Sequence, residues 1–473
     1  MHRTNNINTD NSDTDYNSDN KQAVNNHNNS THNLTSGNIY RQLLSLSIPL
    51  IIGNILQQFY NTIDAFVVGK YAGVNEFASI GIAGTVMNLF LFIIVGACTG
   101  LSVLFARFYG TKDYKMLHRQ HFTALMAGLI FSIILGGMGL AAMKPILTLI
   151  KTPYELMDYT SIYLKWIFLS LPASFLYNMY AAALRSSGDT LAALIILAVS
   201  VMSNLILDIS FIAGFGLGIQ GAAVATAFTQ LLSCILCILY LYMKHREFIF
   251  TRKECYIDRH LLITTIQCSL TTAIHQASLY IGKMFIQGII NTAGTDAISA
   301  YTATTRIEGF ANSFGDSGSA STSILTSQNY GADNKKRVRD TFWCSVKSTA
   351  ILGTVCAVIL WTSADITSQL MLSSDNAIAH SYAVGYLKYV ALFYTLCFTG
   401  GSFTGHYNGI GKVHITLIGS IMQITIRVVL SAMFFNKSGL NAVAIATGIG
   451  WITANLFWAV KLIITYKSSK NSK

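Results

Sequence analysis

The feature that most restricts the fold of this chain is a series of apolar runs, each long enough to cross a bilayer. A helix needs roughly 20 residues to span a hydrocarbon core of about 30 Å. Of the 473 residues, 52% are hydrophobic and only 11% are charged. Because a backbone in lipid must satisfy its own hydrogen bonds, the pattern predicts an all-α, polytopic membrane protein and excludes an ordinary soluble enzyme. We predict twelve crossings, at residues 43–69, 78–105, 122–143, 160–183, 190–213, 221–243, 262–290, 297–327, 343–363, 383–407, 415–435 and 440–463.

The chain divides into four parts by composition. Residues 1–40 are rich in Asn, Ser, Thr and Asp and have little to bury, which predicts a disordered tail. Residues 41–243 and 262–473 form two six-helix lobes, and the segment 244–261 between them is a basic linker. The tail lacks the basic stretch, apolar core and cleavage site of a secretory signal, so we expect the first membrane helix to be retained.

The charges in the loops indicate the orientation in the membrane. Most Lys and Arg residues outside the apolar runs lie on the side of the tail, whereas the opposite loops contain only Lys70, Lys144, Lys151 and Lys437. By the positive-inside rule, both termini are expected in the cytoplasm and the protein in the cell (inner) membrane. The placement of the positive residues therefore accounts for the formal charge of +11 by the orientation in the membrane. We expect no nucleic-acid partner.

An internal repeat relates the two lobes. At an offset of 221 residues, Tyr109-Gly110 falls on Tyr330-Gly331 without a gap, and each pair opens a basic loop. Equivalent points are separated by six crossings, so the lobes have the same orientation and are related by an axis along the membrane normal. Two such bundles around a central cleft are typical of a secondary transporter.

Four segments in this order resemble the multidrug and toxic compound extrusion (MATE) transporters. They are SIPLIIGNILQQFYNTIDAFVVGKYAG, LRSSGDT, NLILDISFIAGFGLGIQGAAVAT and YNGIGK, and the resemblance covers residues 41–465. The loop RFYGTKDYKMLHR after the second crossing does not fit the motif of the other large twelve-helix family, the major facilitators. The resemblance implies export of amphipathic, often cationic, organic compounds in exchange for Na⁺ or H⁺, with no other cofactor.

Carboxylates inside apolar helices are candidates for the coupling-ion site, because a charge at the bilayer centre costs at least about 2.5 kcal/mol. Asp64 lies in the first predicted helix and Asp208 in the fifth, where Asn204 shares its helical face. Asn178 and Thr226 add neutral oxygens to the same lobe, and such oxygens suit Na⁺. The resemblance implies the same assignment, since many prokaryotic MATE proteins bind a cation with an acid on the first helix and Asn-x-x-x-Asp on the fifth. Alternatively, each Asp only bonds a neighbouring helix.

Other candidate residues have two open interpretations. Pro49 is either a hinge of the first helix or only its entry residue. Tyr60, Phe90 and Tyr177 either line the substrate cleft or pack. Glu308 in the eighth crossing is either a substrate contact or half of a structural pair with Lys283 or Arg427.

The sequence thus predicts a cation-coupled antiporter, not an enzyme, that acts as a monomer on small organic substrates in the lipid bilayer. A flippase for lipid-linked saccharides of the same superfamily is an alternative. An intramembrane enzyme would need a nucleophile beside a base, for which His275 or His406 near a Ser is the place to look. A channel is a further alternative.

Overall fold

A computed structural model describes residues 34–71, 73–150, 152–251, 254–372 and 376–471, apart from the side chains at 61–66, 69, 74, 77 and 466–471. This part of the chain is made of thirteen α-helices with short connections and contains no strand. The helices are α1 (Ile39–Tyr71), α2 (Val74–Thr111), α3 (Tyr114–Leu149), α4 (Tyr154–Ser186), α5 (Thr190–Asp208), α6 (Gly218–Lys244), α7 (Arg259–Ile290), α8 (Thr295–Gly331), α9 (Lys335–Met371), α10 (Ala377–Ala391), α11 (Tyr394–Gly409), α12 (Val413–Ser438) and α13 (Leu440–Asn471).

Each predicted crossing coincides with a helix, except that the tenth is split between α10 and α11. Among the described residues, nine helices are apolar and long enough to cross a membrane by themselves. The crossings made by α7, by α8 and by the α10–α11 pair do not meet that criterion. Helix α8 contacts α1, α2, α9, α10 and α11. Because protein surrounds it, its many Ser, Thr and Gly side chains need not face lipid.

Each half of the chain has its own apolar core. Phe105, Phe168 and Phe175 are buried in the first half, and Tyr394 and Phe398 are buried in the second. The halves meet along α1 with α8 and α2 with α7, which are equivalent by the repeat, and also along α2 with α8. The interface between the halves is therefore formed by helices near the axis that relates them.

One face of the molecule, which we call the basic face, carries the start of α1 and the connections 112–113, 187–189, 245–251, 254–258, 332–334 and 410–412. The prediction of a disordered tail through residue 40 is wrong for residues 34–40, whereas residues 1–33 lie outside the described residues. The guanidinium of Arg337 donates to the carbonyl oxygens of Leu34 (3.2 Å) and Gly37 (2.8 Å). The Leu34 side chain is buried. These contacts with α9 order the segment before α1, which composition alone cannot reveal.

The linker between the halves is attached to the first half by a buried histidine. His245 is 5% exposed, and its two ring nitrogens lie 3.1 Å from Asp189 Oδ2 and 3.2 Å from Glu247 Oε1. Burial disfavours the imidazolium, but the hydrogen bonds to both carboxylates outweigh it and raise the pKa of His245 to about 9. Burial by itself would raise the pKa of the Asp189 and Glu247 carboxyls, but the hydrogen bonds from His245 outweigh this effect and lower both pKa values. At neutral pH, a charged His245 therefore bridges two carboxylates.

Replacement of His245 by alanine should lower the free energy of unfolding by about 2 kcal/mol at neutral pH, because charge-assisted hydrogen bonds are lost. The folded pKa of about 9 lies above the unfolded value of about 6.5. The stabilisation is therefore fully present below the unfolded pKa and is lost as pH rises through the folded one. Thermal unfolding of the detergent-purified wild type and His245→Ala, measured from about pH 6 to about pH 10, should give curves that converge at alkaline pH.

The matched control for this prediction is His260→Ala, since His260 is an exposed histidine at the start of α7. We expect His260→Ala to have no effect at any pH. A stability difference for His245→Ala that stays constant across the pH range would contradict a charged bridge.

Candidate functional site

A small polar cavity lies inside the first half, between α1, α4, α5 and α6. Its volume is about 40 Å³. The predicted residues Tyr60, Tyr177, Asn204 and Thr226 all border it. The structure thus brings together four side chains that are far apart in the sequence. The complete lining is Gln57, Tyr60, Tyr177, Leu197, Ser200, Val201, Asn204, Thr226, Thr229 and Gln230.

Two amide groups supply the strongest acceptors of this cavity. Asn204 is 2% exposed, and its Nδ2 donates to Thr229 Oγ1 at 3.4 Å. Its Oδ1 is buried and accepts no hydrogen bond from the described residues, and the same holds for Gln230 Oε1. A buried polar atom without a partner costs about 1–3 kcal/mol. A cation or a water molecule between these oxygens would remove that cost.

The hydroxyl groups of the cavity are oriented as acceptors. Thr226 Oγ1 donates to the carbonyl oxygen of Ala222 at 3.0 Å, and Thr229 Oγ1 donates to that of Ala225 at 2.6 Å. Since each hydroxyl proton is used within α6, lone pairs of Thr226 Oγ1 remain available to the cavity, whereas Thr229 Oγ1 already accepts from Asn204 with one of its lone pairs. Amide and hydroxyl oxygens are the ligands that a hard cation prefers.

Asp208 lies one helical turn beyond Asn204, at the end of α5. Its side chain is 1% exposed. The helix widens at this residue into a π-helical turn, Ile209–Gly214, in which the amide of Phe215 donates to the carbonyl oxygen of Ser210. Such turns are frequent at functional sites. The π-helical turn contacts α1, so Asp208 lies where α5 and α1 meet.

The backbone of Asp64 belongs to α1, but its side chain lies outside the described residues. Helices α1 and α5 run in the same direction, and a Cβ on Gly53 would lie 3.4 Å from the Leu197 side chain. Asp64 follows Gly53 at the same spacing as Asp208 follows Leu197. Because both helices rise by about 1.5 Å per residue, the backbone of Asp64 lies near the level of Asp208. The packing of α1 on α5 is therefore compatible with a shared site.

Asp208 is not among the lining residues of this cavity, and Asn178, Phe90 and Pro49 do not border it either. Asn178 Nδ2 donates to the carbonyl oxygen of Ser174 within α4 at 2.8 Å. Phe90 packs in the core, with its ring 4.8 Å from that of Phe168. Pro49 lies inside α1, which is continuous across it, so its role as a hinge stays a prediction.

Glu308 occupies a separate, buried polar cluster in the second half. Its carboxylate accepts hydrogen bonds from the hydroxyls of Tyr386 (3.0 Å) and Tyr394 (3.4 Å). Arg427 Nη2 donates to the Tyr301 hydroxyl at 3.5 Å. Among the described residues, Glu308 forms no ion pair within 4.0 Å. Its direct partners are thus tyrosines and not Lys283 or Arg427.

The histidines considered for an enzyme have different surroundings. His275 Nε2 lies 2.8 Å from Ser420 Oγ, but Ser420 is only 2% exposed. His406 packs against the ring of Phe342, at 4.9 Å between centroids. A nucleophile must be accessible to its substrate. Ser420 is buried where α12 packs against α7, so it is not accessible.

Sequence reasoning missed the uncharged members of the cavity, among them Gln57, Thr229 and Gln230. They carry no charge, so a search for buried acids passes over them. A periodic signal was present, since Thr226, Thr229 and Gln230 recur at helical spacing on the otherwise apolar α6. A polar stripe on an apolar helix indicates a face turned away from lipid.

Comparisons with known proteins agree with this architecture. The family model MatE matches residues 49–210 and 272–433, one match in each half. The chain is 25% identical to YpnP of Bacillus subtilis (strain 168), described as a probable multidrug resistance protein, over 89% of this chain and 94% of that protein. It is also 25% identical to the multidrug export protein MepA of Staphylococcus saprophyticus, over 87% of this chain and 90% of that protein. A crystal structure of a MATE protein in complex with MaL6 has the same fold, with a TM-score of 0.86, 21% identity, and 92% of this chain and 98% of that chain covered.

Proposed function

Since the chain belongs to the MATE family of multidrug efflux transporters, we propose that it exports amphipathic organic compounds in exchange for Na⁺ or H⁺. The coupling ion binds in the cavity of the first half. Asp64 and Asp208 supply the charge, and Asn204, Thr226 and Gln230 supply neutral oxygens. The lobes 41–243 and 262–473 are the two units that move against each other, within a single monomer.

The observation that carries this proposal is the pair of buried amide oxygens on Asn204 and Gln230, which accept no hydrogen bond from the described residues. Both side chains border one cavity, and Asn204 lies one helical turn before the buried carboxylate of Asp208. An apolar substrate would leave these oxygens unsatisfied, whereas a cation would be attracted by the carboxylate and coordinated by the amides. This donor set supports a site for a small cation.

The orientation follows from the loop charges. We place the basic face in the cytoplasm and the protein in the cell membrane, by the positive-inside rule. A cation that enters from outside then moves inward along the membrane potential, which releases about 2.3 kcal/mol per charge at 100 mV. This energy drives export when the coupling is complete.

Coupling requires that the cation and the exported compound prefer different conformations. A ligand with equal affinity for both states shifts nothing. We propose that occupation of the cavity favours one packing of α1 against α5, in which the organic compound binds weakly. Pro49 provides the hinge in α1, because proline removes one of the helical hydrogen bonds.

The experiment that tests this function is dye efflux from proteoliposomes with the Na⁺ gradient and the pH gradient imposed separately. We expect at least one inward gradient to accelerate efflux roughly tenfold over vesicles without a gradient. Addition of an ionophore that collapses that gradient should return efflux to the basal rate. Equal efflux under all gradients would contradict cation coupling.

A further inference from the structure

Two glycines at the basic face allow the two halves to touch backbone to backbone. A Cβ on Gly110, at the end of α2, would lie 2.1 Å from the carbonyl oxygen of Gln328 in α8. A Cβ on Gly331, at the end of α8, would lie 2.1 Å from the carbonyl oxygen of Arg107 in α2. Such separations are far inside van der Waals contact. Only a hydrogen atom fits at either position while the helix ends are together.

These two contacts are equivalent by the internal repeat. The offset of 221 residues that superposes the halves carries Arg107 onto Gln328 and Gly110 onto Gly331. Exchange of the halves therefore converts one contact into the other. The two contacts therefore lie on either side of the pseudo-twofold axis that relates the halves.

Further contacts between the halves surround the glycines. Gln328 Nε2 donates to the carbonyl oxygen of Ser186 at 2.6 Å, and the guanidinium of Arg107 lies 5.2 Å from the centre of the Tyr330 ring. Farther from the basic face, the hydroxyls of Ser47 and Ser321 share a hydrogen bond of 2.7 Å. The ends of α2 and α8 are thus part of a continuous contact that closes this side of the molecule.

We propose that Gly110 and Gly331 are the positioning residues of a gate at the basic face. Their helix ends meet when that side of the cleft is closed and separate when it opens. A Cβ would be tolerated in the open state, where the opposing carbonyl has moved away, but not in the closed state. The glycines therefore determine the balance between the two states, because a change that penalises only one state shifts the population to the other.

The test compares Gly110→Ala, Gly331→Ala and the double variant with the wild type in lipid nanodiscs. Spin labels are placed on Lys115→Cys and Lys336→Cys, two exposed positions just beyond the glycines, with Cys255→Ser to remove an exposed native thiol. Distance distributions are then measured by double electron–electron resonance. We expect the ratio of the closed to the open population to fall roughly tenfold or more in each single variant.

Two glycine variants serve as controls. A Cβ on Gly405 would lie 2.4 Å from the carbonyl oxygen of Ser319, but this contact joins α11 to α8 inside the second half. Gly405→Ala should lower thermal stability without lengthening the distance between labels. Gly137 in α3 has nothing within 4 Å of such a Cβ, so Gly137→Ala should change neither quantity.

The double variant gives a further readout. Because both added methyl groups penalise the same closed state, the ratio of closed to open population in the double variant should be at least as low as in either single variant. Unchanged distances in Gly110→Ala and Gly331→Ala, or equal lengthening in Gly405→Ala, would overturn the gate. The distance measurement does not depend on cation coupling, so a gate that opens without gradient-driven efflux would refute only the proposed function.

Discussion

Asp208→Asn is expected to reduce gradient-driven efflux at least about a hundredfold while the protein still folds. Asparagine has nearly the same shape as aspartate, so the packing at the end of α5 is preserved. What is lost is one negative charge in a site that is 1% exposed. At about 4 Å and an effective dielectric constant of about 20, this charge attracts a cation by about 4 kcal/mol, which exceeds two orders of magnitude in affinity.

Efflux from proteoliposomes measures this effect, and Na⁺- or pH-dependent thermal stabilisation of the purified protein measures binding directly. Gln230→Leu removes one neutral ligand and leaves the charge, so we expect a smaller loss, roughly tenfold. Asp365→Asn is the matched control, because Asp365 is an exposed carboxylate in the second half. Gradient-driven efflux at the wild-type rate in Asp208→Asn, at equal protein levels, would remove Asp208 from the coupling site.

Glu308→Leu is expected to lower the free energy of unfolding by about 3–5 kcal/mol, since one member of a buried charged network is removed. The hydroxyls of Tyr386 and Tyr394, which are both fully buried, would lose their acceptor. Arg427, which interacts electrostatically with Glu308 without a direct ion pair, would also lose part of its charge compensation. Tyr386→Phe deletes a single hydrogen bond and should cost only about 1–2 kcal/mol.

Thermal unfolding in detergent separates the two roles that the sequence leaves open for Glu308. The double variant Glu308→Leu/Arg427→Leu should recover much of the lost stability, because both charges are absent. Arg306→Leu, at an exposed position of the same helix, is the control and should be nearly neutral. A stable Glu308→Leu protein with a raised KM for the exported compound would instead make Glu308 a substrate contact.

The tenth predicted crossing illustrates where sequence reasoning stops. Residues 383–407 form one apolar run, yet α10 ends at Ala391 and α11 begins at Tyr394. No proline or glycine marks this break. The ring of Phe393 occupies the space beside Gly448 of α13, where a Cβ would lie 2.3 Å from it. A contact between residues so far apart in the sequence leaves no local signal.

The sequence predicted only some of the residues that line the cavity of the first half. Asn204 and Asp208 stand out because polar groups on an apolar helix are costly in lipid. Gln57 and Gln230 are less costly in lipid and give a weaker signal, although they line the same cavity as Asn204. Phe90 and Tyr177 are both aromatic residues in apolar helices, but only Tyr177 borders the cavity.

The sequence by itself determined the class of protein, the positions of the crossings and the duplication of the halves. These properties depend on local composition and spacing, because each segment must satisfy lipid independently of the others. Only the tertiary structure decided which polar groups share a cavity, how residues 34–40 attach to α9, and that Gly110 and Gly331 meet opposing carbonyls. Those outcomes depend on how helices cross, and crossing geometry arises from the complementary shapes of side chains that are distant in the chain.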